Sequence, residues 1–166
     1  MSHEKQIQEF DVVIVGAGLA GLYQLLKLRQ LGLTAVIIEK ADQVGGTWHW
    51  NRYPGARCDI PSLEYSYQFD EDLQQEWNWS EKYSAQPEIL EYINHVADKY
   101  ELRDDINFEE EVTSAVFDES CSKWNINTSN VHMASGGTGF FRKESCDYRN
   151  RFFCNPINPI DSKSSR

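Results

Sequence analysis

The sequence predicts an α/β domain built on a parallel sheet, and three observations predict it. Two short and almost wholly apolar runs, Phe10-Asp11-Val12-Val13-Ile14-Val15 and Ala35-Val36-Ile37-Ile38, read as strands buried on both faces. A leucine-rich stretch of helical period lies between them and is long enough for a crossover. Further along, two strand-like runs flank a polar turn and read as an antiparallel hairpin.

Taken in order, the first strand closes on a glycine turn at Gly16. Leu19, Leu22, Leu25, Leu26 and the segment Leu28 to Leu31 then make the apolar face of a helix that Gly32 stops. The second strand ends at Glu39, completing a βαβ unit whose crossover is right-handed. Lys40 to Tyr83 is rich in Gly, Pro, Trp and Tyr and reads as irregular, longer than a compact domain leaves without a functional reason. Ser84 to Tyr100 reads as an amphipathic helix: Pro87 suits its first turn, Glu88 favours its positive end, and Ile89, Ile93, Val96 and Tyr100 share a face. Ile106 to Phe108 reads as a third parallel strand, and Val112 to Phe117 pairs with Trp124 to Ile126 across the turn Asp118 to Lys123. A sheet this small is expected to leave apolar strand faces and an edge uncovered.

The 166 residues, 40% of them hydrophobic, suit one domain. Met1 to Asn130 holds 10 basic and 23 acidic residues, whereas Val131 to Arg166 holds 6 and 3. The chain therefore divides into a flexible N-terminus (1–9), the α/β domain (10–130) and an atypical tail (131–166) in which disorder and little stable structure are expected. A formal charge of −10 and a pI near 4.8 argue against nucleic acid and anionic membrane surfaces as partners. No apolar run approaches the roughly 18 residues of a membrane span, and Met1 to Glu9 lacks a signal-peptide core, so a cytoplasmic location is expected. Cys58, Cys121, Cys146 and Cys154 are widely spaced and contain no Cys-x-x-Cys pair, which reads as free thiols and no metal site.

Gly16-Ala17-Gly18-Leu19-Ala20-Gly21 fits Gly-x-Gly-x-x-Gly between a strand and a helix, the setting of a Rossmann-like dinucleotide loop. Gly16 allows the tight turn, Gly18 lets the backbone approach a pyrophosphate, and Gly21 lets helix pack on strand. Glu39 ends the second strand, where a carboxylate can accept from both hydroxyls of an adenosine ribose and would repel a 2′-phosphate; FAD or NAD suits this site better than NADP. Gly45-Gly46-Thr47-Trp48 follows. Alone it is an ordinary turn, but just past the ribose acid it resembles the second FAD contact of flavoprotein disulfide reductases and flavin monooxygenases, which favours flavin.

The next residues, His49-Trp50-Asn51-Arg52-Tyr53-Pro54-Gly55-Ala56-Arg57-Cys58-Asp59 and Glu64-Tyr65, closely resemble Type I Baeyer–Villiger monooxygenases. The resemblance runs from about Asp11 to Thr128 and includes Gln75-Glu76-Trp77-Asn78-Trp79 and Gln86-Pro87-Glu88-Ile89-Leu90. It implies a flavoprotein in which NADPH reduces FAD and O2 supplies an oxygen atom inserted beside a ketone carbonyl, giving an ester or lactone. It further implies that Ala20 and the glycine loop meet the FAD pyrophosphate and Glu39 the ribose. Gly46 would make the second FAD contact, Thr47, Trp48, His49 and Trp50 would line the flavin, Asp59 and Tyr65 would lie beside the ring system, and Val112 would approach the adenine through its backbone. Arg57-Cys58-Asp59 would border flavin and nicotinamide, and Asp59 would be the catalytic carboxylate, pairing with an arginine from a second nucleotide domain. Without the resemblance, Asp59 reads as a turn or cap residue before Ile60-Pro61.

The family's Phe-x-Gly-x-x-x-His-x-x-x-Trp fingerprint and its second Gly-x-Gly loop, for NADPH, do not occur in the sequence. The expectation is a truncated FAD-binding portion, with a frameshift, deletion or splice near Asn130 as one cause. Two alternatives stay open: an inactive FAD-binding module, and a related flavin-containing or N-hydroxylating monooxygenase. Elsewhere His95 reads as a packing histidine, Trp77 and Trp79 as anchors, and Glu109-Glu110-Glu111 as a solvated loop.

Overall fold

The structure is a computed structural model and describes residues 8–130 and the backbone of 132–136. Its elements are β1 (Gln8–Phe10), β2 (Val12–Val15), α1 (Leu19–Gln30), β3 (Ala35–Ile38), α2 (Thr47–Trp50), α3 (Glu71–Glu76), α4 (Gln86–Lys99), β4 (Ile106–Asn107), β5 (Val112–Asp118), β6 (Lys123–Thr128) and β7 (His132–Gly136), with 3-10 turns at Ser62–Tyr65 and Leu102–Asp105.

The strands form two sheets. β2, β3 and β4 pair in parallel, in that order, and β1, β7, β6 and β5 form a second sheet in which β5, β6 and β7 are an antiparallel meander and β1 runs parallel to β7. Expected as one strand, Phe10 to Val15 is divided at Asp11 between the two sheets. Asp11 turns outward, its carboxylate accepting from the Thr34 N–H at 2.8 Å and the Thr34 hydroxyl at 2.7 Å. Those bonds hold the Asp11 carboxyl below its usual range.

Side-chain alternation along the parallel strands makes three layers. Val12, Ile14, Ala35 and Ile37 join Leu22 and Leu25 of α1 and Ile89 and Ile93 of α4 in one core. Val13, Val36 and Ile38 point the other way and meet Ile126 of β6, with Phe10, Val112 and Trp124 around them. Each fully buried Val or Ile stabilises by roughly 1.5–3 kcal/mol. The expectation of bare strand faces is thus overturned, because the meander covers the face that the helices leave. The expectation of little structure after Asn130 is corrected as far as Gly136, since β7 pairs with both β6 and β1. The rest of the tail and residues 1–7, with His3, Cys146 and Cys154, lie outside the described residues, whereas Gln8 and Glu9, expected in a flexible N-terminus, are paired in β1. Of α1's anticipated face, Leu22, Leu25 and Leu26 are buried and Leu31 is exposed. Among the described residues no helix is long and apolar enough to cross a membrane.

Candidate functional site

The site begins in the backbone at the carboxyl end of β2. Gly16 takes φ +97°, which strains an L side chain, and its N–H donates to the Ile38 carbonyl at 2.9 Å. A Cβ on Gly21 would lie 2.0 Å from the Gly16 carbonyl oxygen, so a residue with a side chain could not let α1 sit this close to the turn. Gly18 is the N-cap; no side chain caps α1 and its first turn holds no acid. The N–H groups of that turn and the positive end of the helix dipole therefore suit an outside anion.

Glu39 closes the other side. Only 4% exposed, its carboxylate accepts from the Ala17 N–H at 2.6 Å and the Ala41 N–H at 2.7 Å, one bond to each oxygen. A carboxylate offers about four lone-pair directions, so each oxygen can accept one more donor, as a ribose diol requires. The Gly45 N–H donates to the Ala17 carbonyl at 3.0 Å, and Gly46, at φ +51°, starts α2. These residues fit the adenosine diphosphate part of a dinucleotide: amides for a pyrophosphate, a carboxylate for the sugar.

A second group of predicted residues lies on α2 and the segment after it. Thr47 and Trp50 are exposed; half-buried Trp48 meets the Tyr65 ring edge-on at 5.5 Å. His49 is buried, its Nδ1 2.9 Å from the Arg52 guanidinium and its Nε2 3.6 Å from the Asp42 carboxylate. Because arginine only donates, Nδ1 is the acceptor and Nε2 carries the proton when the ring is neutral. Arg57 is exposed and held by the Glu81 carboxylate at 2.8 Å and the Tyr83 carbonyl at 2.7 Å. Cys58 is buried, with its N–H donating to the Ser84 carbonyl at 3.1 Å. Asp59 is exposed and forms no hydrogen bond or ion pair among the described residues, yet its charge acts on Tyr65. Burial, then Asp59, then Cys58 push the Tyr65 phenol up to about 12. A cavity of about 560 Å3 between α1 and the 60–69 segment has Leu19, Ala20, Tyr23, Tyr65 and Phe69 in its wall. Val112 stands apart in β5, against the inter-sheet core.

Three features went unread in the sequence. Glu110 is not solvated: it is 4% exposed and accepts from the Thr128 hydroxyl, while Glu109 and Glu111 face solvent. Ser62 and Ser84 are buried and hydrogen-bonded to each other at 2.9 Å. Gln86 is buried at the start of α4, where only its place beside Pro87 gave a signal. The anchors are as anticipated: Trp77 and Trp79 pack around Leu73, Tyr92 and Val96, and His95 packs on Trp77 at 5.5 Å.

Residues 14–74 match the NAD(P)-binding Rossmann-like domain. Over 118 residues, 71% of this chain and 22% of the relative, it is 51% identical to the acetone monooxygenase (methyl acetate-forming) of Gordonia sp. strain TY-5. A solved oxidized steroid monooxygenase bound to NADP is 54% identical with a TM-score of 0.76, covering 77% of this chain and 25% of that one. The chain is a relative of the Baeyer–Villiger monooxygenases. Cyclohexanone monooxygenase from Rhodococcus sp. Phi1 bound to NADP+ agrees, at 43% identity and TM-score 0.76 over 78% of this chain and 25% of that one. The phenazine N-monooxygenase PhzNO1 of Lysobacter antibioticus is also similar, 46% identical over 72% of this chain and 22% of the relative. The chain thus spans about a quarter of the length of these monooxygenases.

Proposed function

We propose that residues 10–130 bind FAD and that the chain is the FAD-binding portion of a flavin-dependent monooxygenase of Baeyer–Villiger type. One observation carries this reading: the Glu39 carboxylate ties the glycine loop to the end of β3 through the Ala17 N–H while keeping an acceptor on each oxygen for a sugar diol. Gly16, Gly18, Ala20 and Gly21 would hold the pyrophosphate, Glu39 and Gly46 the ribose side, and the Val112 backbone the adenine. Thr47, Trp48, His49, Trp50, Arg57, Cys58, Asp59 and Tyr65 would border the isoalloxazine.

When bound, the flavin supplies the two-electron chemistry between NADPH and O2. The residues of this chain bind and orient it. The Asp59 carboxylate, exposed and without a hydrogen bond or ion pair among the described residues, would hold a cation beside the ring, where a fixed positive charge stabilises a developing anion. The neutral Tyr65 phenol packs against Trp48 and walls one side. A ketone is the proposed oxygen acceptor, with an ester or lactone as product, as the names of the acetone and cyclohexanone relatives suggest. Oxygen transfer to nitrogen is the second reading, favoured by the N-monooxygenase relative that shares this same stretch. Turnover is proposed for a complete protein of the relatives' length, in the cytoplasm, with neither nucleic acid nor membrane as partner; the net charge of −10 supports the last point.

Titrating the purified chain with FAD tests the reading. Quenching of flavin fluorescence and a shifted visible spectrum are expected, with affinity lowered at least about tenfold in Glu39→Ala. A chain that stays colourless, or a variant that binds as well, overturns it. Ketone-dependent NADPH oxidation is not expected from the 166 residues alone.

A further inference from the structure

We infer that Gln86 is a positioning residue that fixes the two flavin-side segments relative to each other, an inference that rests on the FAD reading above. Gln86 is 7% exposed and opens α4, with Pro87 next to it. Its backbone N–H donates to the Ala56 carbonyl at 2.8 Å. Its side-chain amide donates to the Trp48 carbonyl. A carbonyl only accepts, so the amide is oriented with its NH2 toward Trp48. One residue therefore ties α2, which carries Trp48, to the strand-like segment that leads into Arg57, Cys58 and Asp59. Ser84, two residues earlier, extends the same seam by accepting from the Cys58 N–H at 3.1 Å.

The tie matters because α2 does not hold itself. α2 is four residues long and has no side-chain cap, too short for a helix stable without outside contacts. The 56–58 segment is held to 84–86 by main-chain bonds at the Arg57–Ala85 bridge and by Arg57 on Glu81 and Tyr83, so the Gln86 side chain is what brings α2 to this anchored strip. The nucleotide half has its own anchors in β2, β3 and Glu39 and takes no bond from the Gln86 side chain. Loss of the Gln86 donor should loosen the flavin side and spare the nucleotide side.

Gln86→Met keeps the length of the side chain and removes the donor; where it does not fold, Gln86→Ala removes the same donor without added bulk. Hydrogen exchange of the ligand-free 166-residue chain is expected to quicken about tenfold across residues 47–51 and stay unchanged across α1 and β3. In titrations, affinity for FAD is expected to fall about tenfold and affinity for ADP to stay the same. Unchanged exchange across 47–51, or equal losses of FAD and ADP binding, overturns the inference. A wild-type chain that binds neither ligand but shows the local exchange response sinks the FAD reading and leaves Gln86 as the tie between the two segments.

Discussion

The two ends of the site are held in different ways. The nucleotide end is made of backbone: a glycine turn, the start of a twelve-residue helix, and one buried acid bonded on both oxygens. The flavin end is made of short irregular pieces and shows much of its apolar surface, with Trp50 and Tyr53 at 54% exposure and Leu63 at 74%. The difference teaches that the groups proposed for the pyrophosphate and ribose come mainly from turns of one βαβ unit, with only the adenine contact proposed for Val112 drawn from β5. A closed chamber for chemistry needs more surface than these residues present, and exposed aromatic patches of this kind mark faces that pack on something else.

The contrast is broken most severely at Gly21. A methyl group there meets backbone rather than a movable side chain, so α1 must lift off β2; Gly21→Ala is expected to cost about 3 kcal/mol or more in a chemical-denaturation experiment. Glu39→Ala follows, because it leaves the Ala17 and Ala41 N–H groups buried without an acceptor. The expected cost is about 2–3 kcal/mol, with dinucleotide binding lost as well. If either variant proved as stable as the wild type, the nucleotide end would not be the rigid one.

The same contrast explains what could be read from the sequence. Val12 to Val15 and Ala35 to Ile38 are apolar at every position because both faces are covered, and that pattern is visible without a structure. Which cover lies on which face is not visible: Val12 and Val13 look alike, yet one faces α1 and the other Ile126. The break at Asp11 was hidden because one acid in an apolar run does not show a change of sheet. α2 and α3, at four and six residues, are too short to show a helical period, although Asp70, which caps α3 by accepting from the Asp72 and Leu73 N–H groups, is a start signal that could have been used. The burial of Glu110 is not legible in the sequence, because a run of three acids does not say which one turns inward. Its burial depends on Thr128, eighteen residues further on.

Alkali should act on the flavin end first. Burial raises Tyr67 and Tyr92, and burial with Asp70 raises Tyr100, above the usual phenol range, while Tyr65 is raised to about 12. A phenol that ionises near 10 when unfolded and higher when folded loses its proton on unfolding, so its stabilisation is present below about pH 10 and is lost as pH rises. For Tyr65 that window runs from about 10 to about 12, and the share is of order 1 kcal/mol once screening of a half-exposed group is allowed for. Stability measured at about pH 9 and pH 11 should fall in the wild type and fall less in Tyr65→Phe; identical slopes would remove Tyr65 from the account.

Asp59→Asn should change least in the folded chain and most in the chemistry. The side chain is exposed and makes no hydrogen bond among the described residues, so its removal is expected to shift stability by no more than about 0.5 kcal/mol and to leave ADP binding unchanged. One local response is built in: the Asp59 charge helps to raise the Tyr65 phenol, so the tyrosine absorbance titration of the variant should show that phenol ionising at lower pH. In a complete protein of the relatives' length the same substitution is expected to lower kcat about a hundredfold, if Asp59 supplies the fixed charge proposed for it beside the flavin. A loss of more than about 1 kcal/mol of stability, with turnover intact, would make Asp59 an ordinary turn residue before Pro61. The open end of the site would then be open for packing alone.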